Sequence, residues 1–134
     1  MSSDRGSITL WLLGLVVLLL GIGGVVVDLW RVMGERSELV ALVDSAAVAG
    51  ASALDEGGLR SGEGVVLVPD EARRRAAAVL AVERPDRVMV VVDGASVVVT
   101  GERVVDLTLL RALVPEERPV TVRATATAVP EVRP

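Results

Sequence analysis

The chain opens with a long apolar block and then changes pattern three times. From Ile8 to Val27 there are twenty residues, of which fourteen are Leu, Ile or Val and only Thr9 is weakly polar. At ~1.5 Å per residue a helix of this length reaches ~30 Å, the hydrocarbon thickness of a bilayer. At ~0.3–0.6 kcal/mol for each large aliphatic residue the run gains roughly 4–8 kcal/mol on insertion, less what its glycines return. A cleaved secretory signal fits poorly, because the apolar run is too long and ends in Val-Val-Val-Asp-Leu-Trp rather than small residues. The pattern predicts a retained transmembrane helix.

No Pro occurs from Met1 to Val68 and no turn cluster lies at the changeover at Asp28, where the periodicity becomes helical. On a wheel of ~100° per residue, Leu29, Val32, Met33, Val40, Val43, Ala47, Gly50, Ala51 and Leu54 form one stripe. Arg36 interrupts it and Asp44 lies at its edge. Arg31, Glu35, Glu38, Ser45, Ser52 and Glu56 fall opposite, with Leu42 a misfit among them. Arg31 and Glu35 have the spacing of an exposed pair. The reading is one unbroken helix that leaves the membrane at Asp28 and stops at Gly57-Gly58.

Beyond the loop Gly57–Gly64 the elements are shorter. Pro69-Asp70-Glu71 starts a helix that runs to Glu83, ahead of Pro85, with Ala72, Ala76, Val79 and Leu80 on its core face. Arg73, Arg74 and Arg75 are offset by Asp70 and Glu71 and read as a solvated face. In "VMVVVDGASVVVT", Asp93-Gly94 fits a two-residue hairpin turn. That turn sets Val92 opposite Ala95, Val90 opposite Val97 and Val88 opposite Val99 on a core face. Met89, Val91, Val98 and Thr100 lie on a half-apolar second face. "VVDLTLLRALVP" suits a strand end followed by a short helix, Asp106–Leu113, closed by Pro115. The last strand alternates, with Val120, Val122, Ala124, Ala126 and Ala128 inward.

These elements predict an α+β fold: a long N-terminal helix, transmembrane then amphipathic, packed on a small three-stranded antiparallel sheet in a pilin-like plan. The expected divisions are a tail at 1–7, a transmembrane helix at 8–27, its extramembrane continuation at 28–56, an extracytoplasmic α+β domain at 57–130 and a tail at 131–134.

Composition narrows the chemistry. The chain has no Cys, His, Lys, Phe, Tyr, Asn or Gln. Thiolate and imidazole chemistry, disulfides and the usual zinc or copper sites are excluded. The formal net charge of -4 argues against nucleic acid. Asp55-Glu56, Asp70-Glu71 and Glu116-Glu117 are sequence neighbours, which point in different directions on a helix. The glycines of "GIGG" lie inside the apolar run, so they form no phosphate loop. No catalytic residue, metal site, cofactor or small-molecule substrate is expected; the chain does not read as an enzyme. In "DSAAVAGASA", Ala46 and Gly50 are four apart, as are Ala47 and Ala51. That spacing lets another helix approach closely, within this chain or from another subunit.

Three stretches together carry a family resemblance: "DRGS" before the apolar run, "VDLWRVMGER" where it ends, and "VDSAAVAGASAL" after it. Over about 50 residues the chain resembles the TadE/TadG-like proteins of bacterial tight-adherence (Flp-type) pilus assembly. The resemblance implies a single-pass, pilin-like envelope protein serving pilus assembly or a related secretion machine, with a cytoplasmic N-terminus and an exported C-terminal part. Its partners would be the lipid bilayer and other pilin-like subunits or pilus-assembly membrane proteins. Gly6-Ser7 matches the cleavage position of prepilin-type relatives. Where those relatives carry Glu five residues into the mature chain, this one has Trp11, and it has no room for the large domain of longer relatives. Asp28, Arg36, Asp44, Ala46, Ala47, Gly50 and Ala51 are the candidate helix-packing residues. The alternative is a membrane-anchored accessory module that binds a peptide or cell-surface partner through its sheet.

Overall fold

The computed structural model describes residues 4–54, 66–116 and 118–130. Gly57-Gly58 and the loop expected at Gly57–Gly64 lie outside them. The elements are α1 (Asp4–Ala51), α2 (Pro69–Glu83), β1 (Arg87–Asp93), β2 (Ser96–Val105), α3 (Thr108–Leu113) and β3 (Val120–Ala128). The sheet order is β1-β2-β3, and β1 and β2 are antiparallel. Thr100 meets Thr125 and Glu102 meets Arg123, so β3 runs antiparallel to β2 as well. The α+β plan expected from the sequence is therefore present. The chain divides into two compact units, Met1–Met33 with Val105–Val120, and Gly34–Val104 with Thr121–Pro134.

α1 is 48 residues long and carries no Pro. After Ala51 the helix is closed by a tighter turn, in which Ala53 N–H donates to the Gly50 carbonyl at 3.1 Å. The chain then pairs Leu54 with Leu67 in an isolated antiparallel bridge. Val68 N–H donates to the Ala53 carbonyl, which leads directly into α2.

The covered stripe of α1 differs from the wheel reading. Leu39, Leu42, Val43, Ala46, Ala47 and Ala51 are buried, while Leu29, Met33 and Val40 are exposed. With buried Asp28 and half-buried Val32 and Glu35, the covered positions advance by alternating steps of four and three residues. The stripe thus contains two acids. A hydropathy wheel turns acids outward, and that rotates the expected face away from the real one. Leu42 is core, not a misfit.

In the larger unit, Leu39–Ala51 of α1 packs against β2 and α2. Gly50 and Gly101 set the spacing. A Cβ on Gly50 would come 2.9 Å from Val97 Cγ1 and 3.2 Å from the Ala72 carbonyl oxygen. One on Gly101 would come 2.9 Å from Val43 Cγ1 and 3.0 Å from Leu39 Cδ1. Val97 and Val99 of β2 are fully buried, and Ala72, Ala76 and Leu80 of α2 and Val122 and Ala124 of β3 are buried too. Val79, expected on the core face of α2, is half-buried.

The hairpin turns one residue later than expected. Asp93 pairs with Ser96, Val92 with Val97, Val90 with Val99 and Val88 with Gly101. The turn residues are Gly94 and Ala95, and only Gly94 has a positive φ, +55°. An Asp93-Gly94 turn of the type I′ class needs positive φ at both positions, which costs a non-glycine residue strain. Moving the turn gives the strained place to glycine. Each partner shifts by two residues, so every side chain keeps its face. Val90, Val92, Val97 and Val99 still point inward.

Gly101→Ala is expected to destabilise the full chain by about 1–3 kcal/mol through overpacking. Gly34→Ala, where a Cβ meets nothing within 4 Å, should instead stabilise it by about 0.5–1 kcal/mol. Thermal melts of the two variants in detergent micelles, followed by circular dichroism, check the pair.

Candidate packing and anchoring sites

In the smaller unit the organising group is Asp28. It is 3% exposed and projects from α1 at the end of the apolar run. Its Oδ2 accepts the backbone N–H groups of Leu109 at 2.9 Å and Leu110 at 2.6 Å. These belong to the first turn of α3, where N–H groups have no partner within their own helix. α3 has no side-chain cap of its own, since Leu107 occupies that place. Asp28 supplies the cap from 81 residues away. One turn further along α1, Arg31 Nη1 donates to Thr108 Oγ1 at 3.0 Å. Arg31 therefore does not form the expected pair with Glu35. On the other side of Asp28, Gly24 leaves room for Leu109, whose Cβ lies 3.4 Å from where a Gly24 Cβ would stand. A shallow apolar cleft of about 300 Å³ is lined there by Val17, Leu20, Gly21, Gly24 and Leu109.

In the larger unit the corresponding polar centre is Arg103. It donates to Glu35 Oε2 at 2.8 Å, with Glu38 and Glu83 each within 3.7 Å. It also donates to the Glu83 carbonyl at 3.2 Å. The Glu35 hydrogen bond holds the guanidinium further towards its charged form, against the opposing effect of partial burial. One cation thus ties β2 to α1 and to the last turn of α2. Arg103 was not legible as a site, because its partners are 68 and 20 residues distant.

The arginine run on α2 is paired as its spacing suggests. Arg73 binds Asp70 at 3.2 Å, and Arg74 and Arg75 bind Glu71 at 2.5 and 2.8 Å. Those hydrogen bonds, Arg75 first, hold the Glu71 carboxyl below its ordinary value. Arg75 reaches further, to the Ser52 carbonyl and hydroxyl at 2.8 and 3.1 Å, and closes the end of α1 against α2.

The remaining candidates separate by environment. Ala46, Ala47, Gly50 and Ala51 are buried within this chain's own core, and Gly50 faces Val97 of β2 and Ala72 of α2. Arg36 and Asp44 are exposed. Gly6 and Ser7 lie within the first turns of α1. The second sheet face is open: Met89 and Val91 are exposed, and no described element covers them. An open groove of about 660 Å³ is lined there by Arg87, Met89, Thr100, Glu102, Arg123 and Thr125. Glu102, nearly covered, accepts from Arg123 Nε at 2.7 Å and lies 3.8 Å from Arg87.

Asp28→Ala removes the acceptor of two backbone N–H groups. Loss of a helix cap costs about 0.5–2 kcal/mol, so the amides of Leu109 and Leu110 should exchange with solvent about 2- to 30-fold faster. Residue-resolved hydrogen exchange in micelles checks this, with the amides of Val97 and Val99 as unaffected references.

Residues 6–53 match the family model described as "Putative Flp pilus-assembly TadE/G-like". No curated protein and no solved structure matches the chain. The matched residues take in α1 and the turn that follows it; the sheet lies outside the match. The description names assembly rather than catalysis. α1 is also one helix long and apolar enough to cross a membrane. Together these support a pilus-assembly membrane component, similar over residues 6–53 to the TadE/G-like Flp pilus-assembly family.

Proposed function

We propose that this protein is a single-pass, pilin-like component of Flp/Tad-type pilus assembly or of a related secretion machine. Its N-terminus is cytoplasmic, its α+β domain extracytoplasmic, and it acts by helix packing rather than by chemistry. The observation that carries this reading is the family match, which falls on a helix whose apolar run has almost no cover from the described residues, Leu109 at Gly24 apart. A bare run of this kind is soluble only in lipid or against other apolar helices. Trp11 and Trp30 support the span: both are exposed, 71% and 77%. They stand about 28 Å apart along a helix, a separation that suits two membrane interfaces.

The small-residue face now has a different place in this reading. Ala46, Ala47, Gly50 and Ala51 are buried in the chain's own core, with Gly50 against Val97 and Ala72. Contact with like helices therefore falls to the apolar run and to the exposed side of α1 that bears Val40 and Val48. The open groove on the outer sheet face favours one second reading, an anchored accessory module that holds an extended peptide. Cutting between Gly6 and Ser7 belongs to the first reading alone.

Photo-crosslinkers at Leu18 and Val48, placed in the full chain in its native envelope, test the proposal. Adducts with itself or with other pilin-like subunits are expected. Capture solely of unrelated proteins through the sheet face would favour the accessory module. Intact mass of the same sample reads the processing: loss of Met1–Gly6 supports prepilin-like cutting.

A further inference from the structure

We infer that α3 is a second membrane contact: it lies along the end of the transmembrane helix and places Leu109 in the hydrocarbon of the outer leaflet. This rests on the reading of Ile8–Val27 as the span. The depth follows from the contacts of Leu109. It packs at Gly24, and its cleft is completed by Val17, Leu20 and Gly21, all within the apolar run. Gly24 stands three residues before the end of that run, about 4.5 Å along a helix. An interfacial helix buries its apolar side ~5–10 Å into the boundary between headgroups and acyl chains, and Leu109 reaches a comparable level.

The polar contacts fit the same depth. The first N–H groups of α3 would be costly to leave without partners at a lipid boundary, and Asp28 accepts two of them from a buried position. Arg31, one turn further out, binds Thr108. Leu109 itself remains 42% exposed after these contacts are made. Its surroundings on α1 are the apolar surface of the span. The occupant that continues this surface is lipid, so the uncovered part of Leu109 meets acyl chains and not a protein partner.

The test uses the full chain in phosphatidylcholine vesicles. Because the chain has no Cys, single nitroxide labels can be placed at Leu109→Cys, Leu18→Cys and Val82→Cys. The expected result is that labels at 109 and 18 collide with oxygen more than with a water-soluble nickel chelate, while the label at 82 does the reverse. Nickel access at 109 with oxygen preference at 18 would overturn the inference and leave the span standing. Nickel access at both would overturn the span and the inference with it. Protection at 109 from both reagents would show a protein cover, such as a second copy, and would also overturn it. If the label disturbs packing, Leu109→Trp in a chain with Trp11 and Trp30 replaced by Phe gives the same reading. Its fluorescence should be quenched by lipids brominated on the acyl chain, and lack of quenching would refute the contact.

Discussion

One helix has to serve two solvents without a break, and the side of α1 that changes partner is the constraint on which the remainder of the structure depends. A helix satisfies its own backbone in lipid and in water alike. The sequence can therefore change from Val-Val-Val to charged residues without a turn. What must change is the cover on each face. Up to Val27 nearly all the side chains are left bare, as suits an apolar medium. From Asp28 onward, one stripe of the same helix is covered by protein.

The cover includes charge. Asp28 and Glu35 sit seven residues apart on the covered stripe of α1, and each is matched by groups from far along the chain. Asp28 receives two backbone N–H groups of α3, and Glu35 receives the Arg103 guanidinium. Among the described residues no buried side-chain polar atom lacks a hydrogen-bond partner. A buried acid without such partners would cost several kcal/mol. These acids therefore specify where α3 and β2 dock, as an apolar residue at the same place would not. Further along, Gly50 and Gly101 set how closely β2 approaches α1, and their missing side chains are filled by Val97, Val43 and Leu39.

Local pattern made much of this legible. The apolar run, the start of α2 at Pro69, the alternation of β3 and the Ala72, Ala76 and Leu80 face all follow from period and end signals, and all are present. The hairpin was legible in its faces but not in its register, because a shift of two residues leaves every face unchanged. The stripe of α1 was misread because hydropathy places Asp28 and Glu35 in water. Their partners are 81 and 68 residues away and carry no local signal. The small residues from Ala46 to Ala51 were legible as a close-approach surface. Which neighbour approaches was not, since spacing alone does not distinguish a partner helix from the chain's own sheet.

The continuity of α1 through Asp28 is the central claim, and residue-by-residue amide hydrogen exchange of the full chain in bilayers tests it most directly. The account predicts unbroken protection from Leu20 to Arg36, with no fast amides at Gly23, Gly24 or Gly34. A window of three or four rapidly exchanging amides at any of these glycines would show two helices joined by a hinge, and would contradict it.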